Sequence, residues 1–256
     1  MSSWDPEQYE RFRNERGKPF FDLLAMVRPI PGGRAIDLGC GTGELTKLLH
    51  ERCGARSTIG LDNSETMLEK SAAFAGNGLR FKLGTILRFR PSKPFDLVFS
   101  NAAIQWVPEH RVLLPKLADA VAPGGQLAIQ MPANHDHQSH IVADAVAREE
   151  PFLSAMDGHV RNWPVLPVEE YATILDGLGF AELDVSMRIY VHHLPDRGEV
   201  VEWTKGTYLT HYQARLSAEL FERYLATYRE RLAAVLPDDR PFVYTYKRIL
   251  IHGVKA

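Results

Sequence analysis

The stretch "RAIDLGCGTGEL", residues 34–45, decides the fold. It opens on a short apolar run of strand type, RAIDL (34–38), and passes through three glycines into a helix-forming segment. Glycine permits a tight turn and lets backbone come close to a ligand. Gly39, Gly41 and Gly43 are spaced G-x-G-x-G. The dinucleotide pattern G-x-G-x-x-G needs glycine at position 44, where this chain has Glu44. That glutamate also puts negative charge where a pyrophosphate would sit. The loop therefore suits a ligand without phosphates.

Working outward, RSTIGLD (56–62) reads as a second strand ending in Asp62. A carboxylate about twenty residues past such a loop can accept both hydroxyls of a ribose. Asn63 and Met67 follow, a polar and a flexible apolar group near an adenine-sized object. Ser64 can cap the next helix, with Met67, Leu68 and Ala72 on its inner face. LRFKLG (79–84) and FDLVFSN (95–101) are strands three and four; a helix over 109–121 leads to APGG, and QLAIQMP (126–132) is strand five. A helix over 6–27 precedes them all, ended by PIPGG. Strands alternating with helices imply an α/β fold, a Rossmann-like open twisted sheet with right-handed crossovers.

After Pro132 the rhythm changes. Residues 135–165 are polar and irregular around a helix at 139–149; a helix over 167–177 precedes a long strand, 180–193. Residues 196–236 read as all-helical, anchored by Trp203, Phe221, Tyr224, Leu225 and Tyr228, and FVYTYKRILIHGVK closes the chain as a strand. The reading is seven strands with the last antiparallel. Residues 1–132 hold the N-terminal helix and a cofactor-binding core, 133–166 and 194–238 are helical insertions, and 167–193 with 239–256 complete the sheet. The insertions are expected to form a lid over the carboxyl ends of the strands, where open α/β sheets bind ligands.

Composition narrows the function. A net charge of −2 over 256 residues gives no electrostatic case for nucleic acid or an anionic membrane surface. No apolar run approaches the ~20 residues of a membrane span. The N-terminus is polar and lacks the apolar core of a signal peptide. Two cysteines, Cys40 and Cys53, exclude a disulfide framework and fit a reducing cytoplasm.

Over residues 34–132 the chain resembles class I S-adenosylmethionine-dependent methyltransferases. Along nearly its whole length it is similar to the trans-aconitate-methylating family among them, through WDPEQY (4–9), DLGCGTGELT (37–46), NAAIQWVPEHRVLLPKL (101–117), QMPANH (130–135) and VVEWTKGTYL (200–209). The resemblance implies S-adenosylmethionine as cofactor, held by Asp37, Gly39, Gly41, Gly43, Asp62, Asn63, Met67 and Ile86, with Asn101 at its amino-acid end. Tyr9 and Arg16 are placed to close over its carboxylate. Strand four then ends beneath the sulfonium, and Gln105 and Trp106 sit where methyl group and acceptor meet. A tryptophan face favours a cation; packing under the following helix is the alternative role for Trp106. One departure stands out: Thr85 occupies the position where the family usually carries an acid for the adenine amine. Without a charged acceptor, cofactor binding is expected to be weaker by ~1–3 kcal/mol.

The implied acceptor is a small anionic molecule, a polycarboxylic acid of the trans-aconitate type. A carboxylate is ionised at neutral pH, so no general base is required. Its other carboxylates need cations, and arginine matches a carboxylate bidentately. Arg161, Lys205 beside Trp203, and Arg248 are the candidates, with Lys247 on the opposite face of the last strand. His135, His137 and His140 match no metal-binding spacing, so no metal is expected; a histidine base would matter only for a hydroxyl or amine acceptor. A different small acid, a phenol or an amine as acceptor, and a non-catalytic binding protein on the same fold, remain the alternatives.

Overall fold

The structure, a computed structural model, describes residues 17–256. Tyr9 and Arg16 lie outside them. The first helix is helical over 17–24 within the described residues. The chain divides into two compact units. Among the described residues, 17–132, 164–188 and 248–256 form the first, and 133–163 and 189–247 the second.

The sheet has seven strands: β1 (Arg34–Leu38), β2 (Ser57–Asp62), β3 (Leu79–Leu83), β4 (Phe95–Asn101), β5 (Val121–Pro132), β6 (Phe180–Leu194) and β7 (Phe242–Lys255). Their order is β3-β2-β1-β4-β5-β7-β6. β1 pairs in parallel with β2 and β4, β2 with β3, and β4 with β5, whereas β7 runs antiparallel to β5. The central strands are continuous apolar runs because helices cover both faces. Leu97, Val98 and Phe99 of β4 are fully buried. Phe20, Leu23 and Leu24 of the first helix pack with Ala35, Leu49, Cys53 and Phe99, the Phe20 and Phe99 rings meeting edge to face at 5.7 Å. Strand order reverses at β1, which opens a crevice at the carboxyl ends of β1 and β4.

The expected seven-stranded sheet with its last strand antiparallel is present. Two local expectations are corrected. β5 begins at Val121 instead of Gln126, so APGG lies within the strand; Val121 pairs with Phe95 across a register shift that absorbs the turn residues. Met67 was expected on the inner face of its helix, but it is 42% exposed in a helix (Glu65–Ser71) only two turns long. Ser64 does cap that helix, its hydroxyl accepting from Met67 N.

The second unit contains helices Gln138–Ala147, Phe152–Ala155, Glu199–Lys205, Thr210–Gln213 and Ala218–Val235. Its core is built from tyrosines. Tyr212, Tyr224, Tyr228 and Tyr244 are fully buried, and the Tyr224 ring stacks between Phe221 and Tyr228. A buried phenol needs a partner. Tyr224 donates to Ala143 O and Tyr228 to Ser139 O, both at 2.9 Å. Cys40 and Cys53 are buried free thiols. Among the described residues, no helix is long and apolar enough to cross a membrane.

Candidate functional site

The glycine loop is fastened to β2. Gly39 N and Cys40 N both donate to Leu61 O, at 2.7 and 3.1 Å. Asp62 then receives one amide on each oxygen, Gly41 N on Oδ2 (2.8 Å) and Ser64 N on Oδ1 (2.9 Å). Each carboxylate oxygen keeps a second lone pair. The glycines have distinct jobs. A Cβ at Gly39 (φ +83°) would lie 2.1 Å from Ala103 Cβ, so this residue permits close approach to the loop after β4. A Cβ at Gly41 (φ +54°) would meet no heavy atom within 4 Å and would project into open space. Gly43 packs against the Phe81 ring and begins helix Glu44–Cys53.

That open space is a cavity of about 470 Å³ at the carboxyl ends of the strands. Gly39 and Gly41 line it from β1, Asp62, Asn63 and Met67 from β2, Thr85, Ile86 and Leu87 from β3, and Ala103 and Trp106 from β4. Its size is that of a small-molecule site. Thr85 uses its hydroxyl to accept from Leu87 N (3.3 Å), which shapes the turn beneath. Trp106 is 55% exposed and belongs to the cavity wall, not to the core under the next helix. Sequence reading missed what holds it there. His110 Nε2 lies 2.9 Å from Ile104 O, and Nδ1 lies 2.5 Å from the Tyr171 hydroxyl. The carbonyl can only accept, so Nε2 carries the proton and Nδ1 accepts from Tyr171. This buried pair fixes the turn Ile104–Trp106.

Asp37, Gly43, Asn101 and Gln105 do not line the cavity. Asp37 is buried behind the glycine loop; Thr46 Oγ1 donates to its Oδ2 (2.6 Å), and its Oδ1 has no partner among the described residues. Burial pushes its carboxyl up to about 7; the Thr46 bond opposes this and the Asp62 charge adds to it. Gln105 donates from Nε2 to Ala102 O (2.7 Å), and its buried Oε1 has no partner among the described residues. With the Gln130 amide turned so that both of its groups find complementary partners, Nε2 donates to Asn101 Oδ1 (2.8 Å) and Oε1 accepts from Arg248 Nη1 (3.0 Å).

In the second unit the candidate cations separate. Lys205 pairs with Glu202 (3.1 Å) and Lys247 with Asp136. Trp203 is buried among His192, Tyr244 and Tyr246. Arg161 is 8% exposed, its guanidinium 4.4 Å from the Tyr208 ring centre and 5.1 Å from that of Trp163. His140 packs on Tyr208 at 4.3 Å. Burial, reinforced by the nearby His137, Arg161 and His135, pushes His140 down to about 3, so it is neutral at pH 7 and too weak to serve as a base there. Among the described residues, no group of His, Cys, Asp or Glu is placed to hold a metal.

The first unit's cavity fits the implied cofactor. It has an apolar shelf for adenine in Ile86, Leu87 and Met67, and a braced carboxylate for a diol. At Gly41 a side chain would fill the space a ligand needs. Glu44 in the first turn of the following helix opposes a phosphate. Residues 35–125 match the family described as a methyltransferase domain. The chain is 41% identical to a trans-aconitate 2-methyltransferase of Deinococcus radiodurans, over 97% of this chain and 96% of the relative. It is 39% identical to one of Sinorhizobium fredii over 99% of both chains. It is 41% identical to one of Variovorax paradoxus, over 100% of this chain and 99% of the relative. Among solved structures, an S-adenosylmethionine-dependent methyltransferase from Mesorhizobium loti shares the fold at TM-score 0.53, with 21% identity over 94% of this chain and 98% of that one. Phosphoethanolamine N-methyltransferase 2 of Haemonchus contortus, in complex with S-adenosyl-L-methionine, does so at TM-score 0.54, with 19% identity over 93% of this chain and 52% of that one. The chain belongs to the trans-aconitate 2-methyltransferase family of S-adenosylmethionine-dependent methyltransferases.

Proposed function

We propose that the protein esterifies a carboxylate of trans-aconitate with the methyl group of S-adenosylmethionine. The observation that carries this reading is identity near 40% with trans-aconitate 2-methyltransferases over essentially the whole chain. When bound, the cofactor supplies a methyl group on a positively charged sulfur; a carboxylate oxygen takes that methyl to form the ester, and the C–S bonding pair stays on sulfur.

The chain's own residues bind, orient and exclude water. Asp62 would accept from the ribose hydroxyls through its remaining lone pairs, Ile86 and Met67 would hold the adenine, and Thr85 would offer it a neutral oxygen. Asp37 Oδ1, buried without a partner among the described residues, would accept from the cofactor's amino end, whose positive charge would favour the ionised carboxylate. Trp106, in the cavity wall, would face the bound cofactor. No residue has to remove a proton, because the acceptor is already ionised. Alignment alone can supply ~7–11 kcal/mol of the barrier reduction. The two buried free thiols favour a cytoplasmic setting for this reaction.

Single-turnover methyl transfer to a panel of di- and tricarboxylic acids, with cofactor saturating, tests the reading. Transfer to trans-aconitate at a rate nearly flat from about pH 6 to 8 is expected with cofactor saturating, since the acceptor carboxylate is already ionised and no catalytic base is needed. No transfer to any acid, or a steep climb with pH, would favour an amine or phenol acceptor instead.

A further inference from the structure

The loop that follows β4 has a costly backbone. Ala102 (φ +52°) and Glu109 (φ +56°) are both left-handed without being glycine. Such residues persist only where the surrounding structure holds them. Ala102, Ala103, Trp106 and Val107 line the cavity of the first unit. The loop also stands close against the glycine loop, since a Cβ at Gly39 would fall 2.1 Å from Ala103 Cβ. A small displacement of residues 102–109 therefore changes the shape of the cavity.

Hydrogen bonds hold this loop at both ends. At its start, Ala102 N donates to Gln130 O (2.8 Å), and Ala102 O accepts from Gln105 Nε2 (2.7 Å). At its far end the holding group is His110, 1% exposed, the first residue of helix His110–Asp119. Ile104 O accepts from His110 Nε2 (2.9 Å) and from Val107 N (2.8 Å). Behind His110 stands Tyr171, fully buried on helix Val168–Gly177. Its hydroxyl accepts from Leu166 N (3.1 Å) and gives its own proton to His110 Nδ1 (2.5 Å). Met131 Sδ, at 3.6 Å, is the longer and weaker acceptor. Burial holds the His110 ring below its ordinary ionisation range, its backbone bonds to Ile104 and Val107 opposing, so the ring is neutral at pH 7. A neutral ring has one donor and one acceptor, and both are engaged. Neither His110 nor Tyr171 lines the cavity.

We propose that His110 and Tyr171 are positioning residues for the cofactor. Acting through Ile104, they hold the strained loop in the arrangement in which Ala103, Trp106 and Val107 complete the cavity wall. The inference rests on the first unit's cavity being the cofactor site. A loop released from this hold spends part of its time in other arrangements, and apparent affinity falls in proportion to the competent fraction that is lost.

The test is titration with S-adenosylhomocysteine by calorimetry, with Tm measured on the same variants. Tyr171→Phe keeps the ring and removes the hydroxyl. His110→Gln keeps an N–H at the reach of Nε2, whereas His110→Asn reaches only as far as Nδ1 and loses the bond to Ile104 O. Ile251→Ala, fully buried in β7 and not a cavity residue, lowers stability alone and is the control. Tyr171→Phe is expected to bind about three- to tenfold more weakly, the effect of one hydrogen bond. His110→Asn should lose about tenfold or more, while His110→Gln and Ile251→Ala stay within about threefold of the parent. Parent-like affinity in Tyr171→Phe and His110→Asn would overturn the proposal. So would equal losses in His110→Gln and His110→Asn, or a loss in Ile251→Ala as large as theirs at a matched fall in Tm. Gly41→Ala, titrated alongside, reports on the site itself. If Gly41→Ala weakens binding and the His110 and Tyr171 variants do not, the positioning role fails alone. If none of these variants loses affinity, the placement of the cofactor fails with it.

Discussion

Gly41→Ala separates a ligand site from a folding requirement. Position 41 has φ +54°, and a methyl group there meets no heavy atom within 4 Å. The folded-state cost is thus the left-handed backbone alone, ~1–2 kcal/mol for a non-glycine residue. For a domain of this size that lowers Tm by roughly 2–8 °C. Gly39→Ala makes the opposite case. Its φ is +83° and its Cβ falls 2.1 Å from Ala103 Cβ, so the loop after β4 must move. Overpacking adds ~1–3 kcal/mol to the backbone cost, giving a total of ~2–5 kcal/mol. Scanning calorimetry of both variants measures these costs, and titration with S-adenosylhomocysteine measures the site. Gly41→Ala should bind at least about tenfold more weakly, the equivalent of ~1.4 kcal/mol, while remaining folded. Affinity within about threefold of the parent would mean that no ligand approaches Gly41, and the placement of the cofactor would fail. A loss of stability equal to that of Gly39→Ala would refute the geometric argument for open space.

Asp62→Ala leaves Gly41 N and Ser64 N without their acceptor as well as removing the diol partner; a loss of ~1–3 kcal/mol in stability together with at least about tenfold in cofactor affinity is expected, and unchanged affinity by calorimetry refutes it. Thr85→Asp preserves a capping oxygen for Leu87 N and restores a charged acceptor at the cavity, so cofactor affinity should rise or hold; a large loss would show that adenine lies elsewhere. Asp37, at about 7 when folded against an ordinary 3.8, binds its proton more tightly in the folded state, so its contribution to stability is fully present below the lower value and is lost as pH rises through about 7. Asp37→Asn cannot titrate and should gain up to ~3 kcal/mol relative to the parent between about pH 5 and 8, at ~1.36 kcal/mol per pH unit; parallel stabilities by urea unfolding across that range would show that Asp37 is not the group responsible.

Much of the first unit could be read locally. The apolar runs at 34–38 and 95–101 match β1 and β4 residue for residue, and Ser64 caps as its type suggests. These features depend on neighbours in sequence. The start of β5 does not, since Val121 becomes strand only by pairing with Phe95. Nor does the fate of each cation. Lys247 is taken by Asp136 across more than a hundred residues, and Lys205 by a glutamate one turn away. Arg161 packs against the ring of Trp163, two residues on, and that of Tyr208 from a distant segment. Trp163, Tyr208 and Asp144 lie beside motifs already singled out, yet only tertiary packing brings them together. His110 and Tyr171, sixty-one residues apart, support Trp106 in the same hidden way.

The tyrosine core of the second unit also makes that unit optically addressable. Of the nine tyrosines in the chain, all but Tyr9 and Tyr171 lie within residues 189–247. Burial holds the phenols of Tyr208, Tyr212, Tyr224, Tyr228 and Tyr244 far above their ordinary ionisation range. They can form phenolate only when water reaches them. In a rapid jump to alkaline pH, the growth of phenolate absorbance therefore becomes a clock for the opening of this unit, with the Rossmann-like sheet nearly silent. Any ligand that tightens the second unit should slow that clock, a signal that needs no label and no turnover.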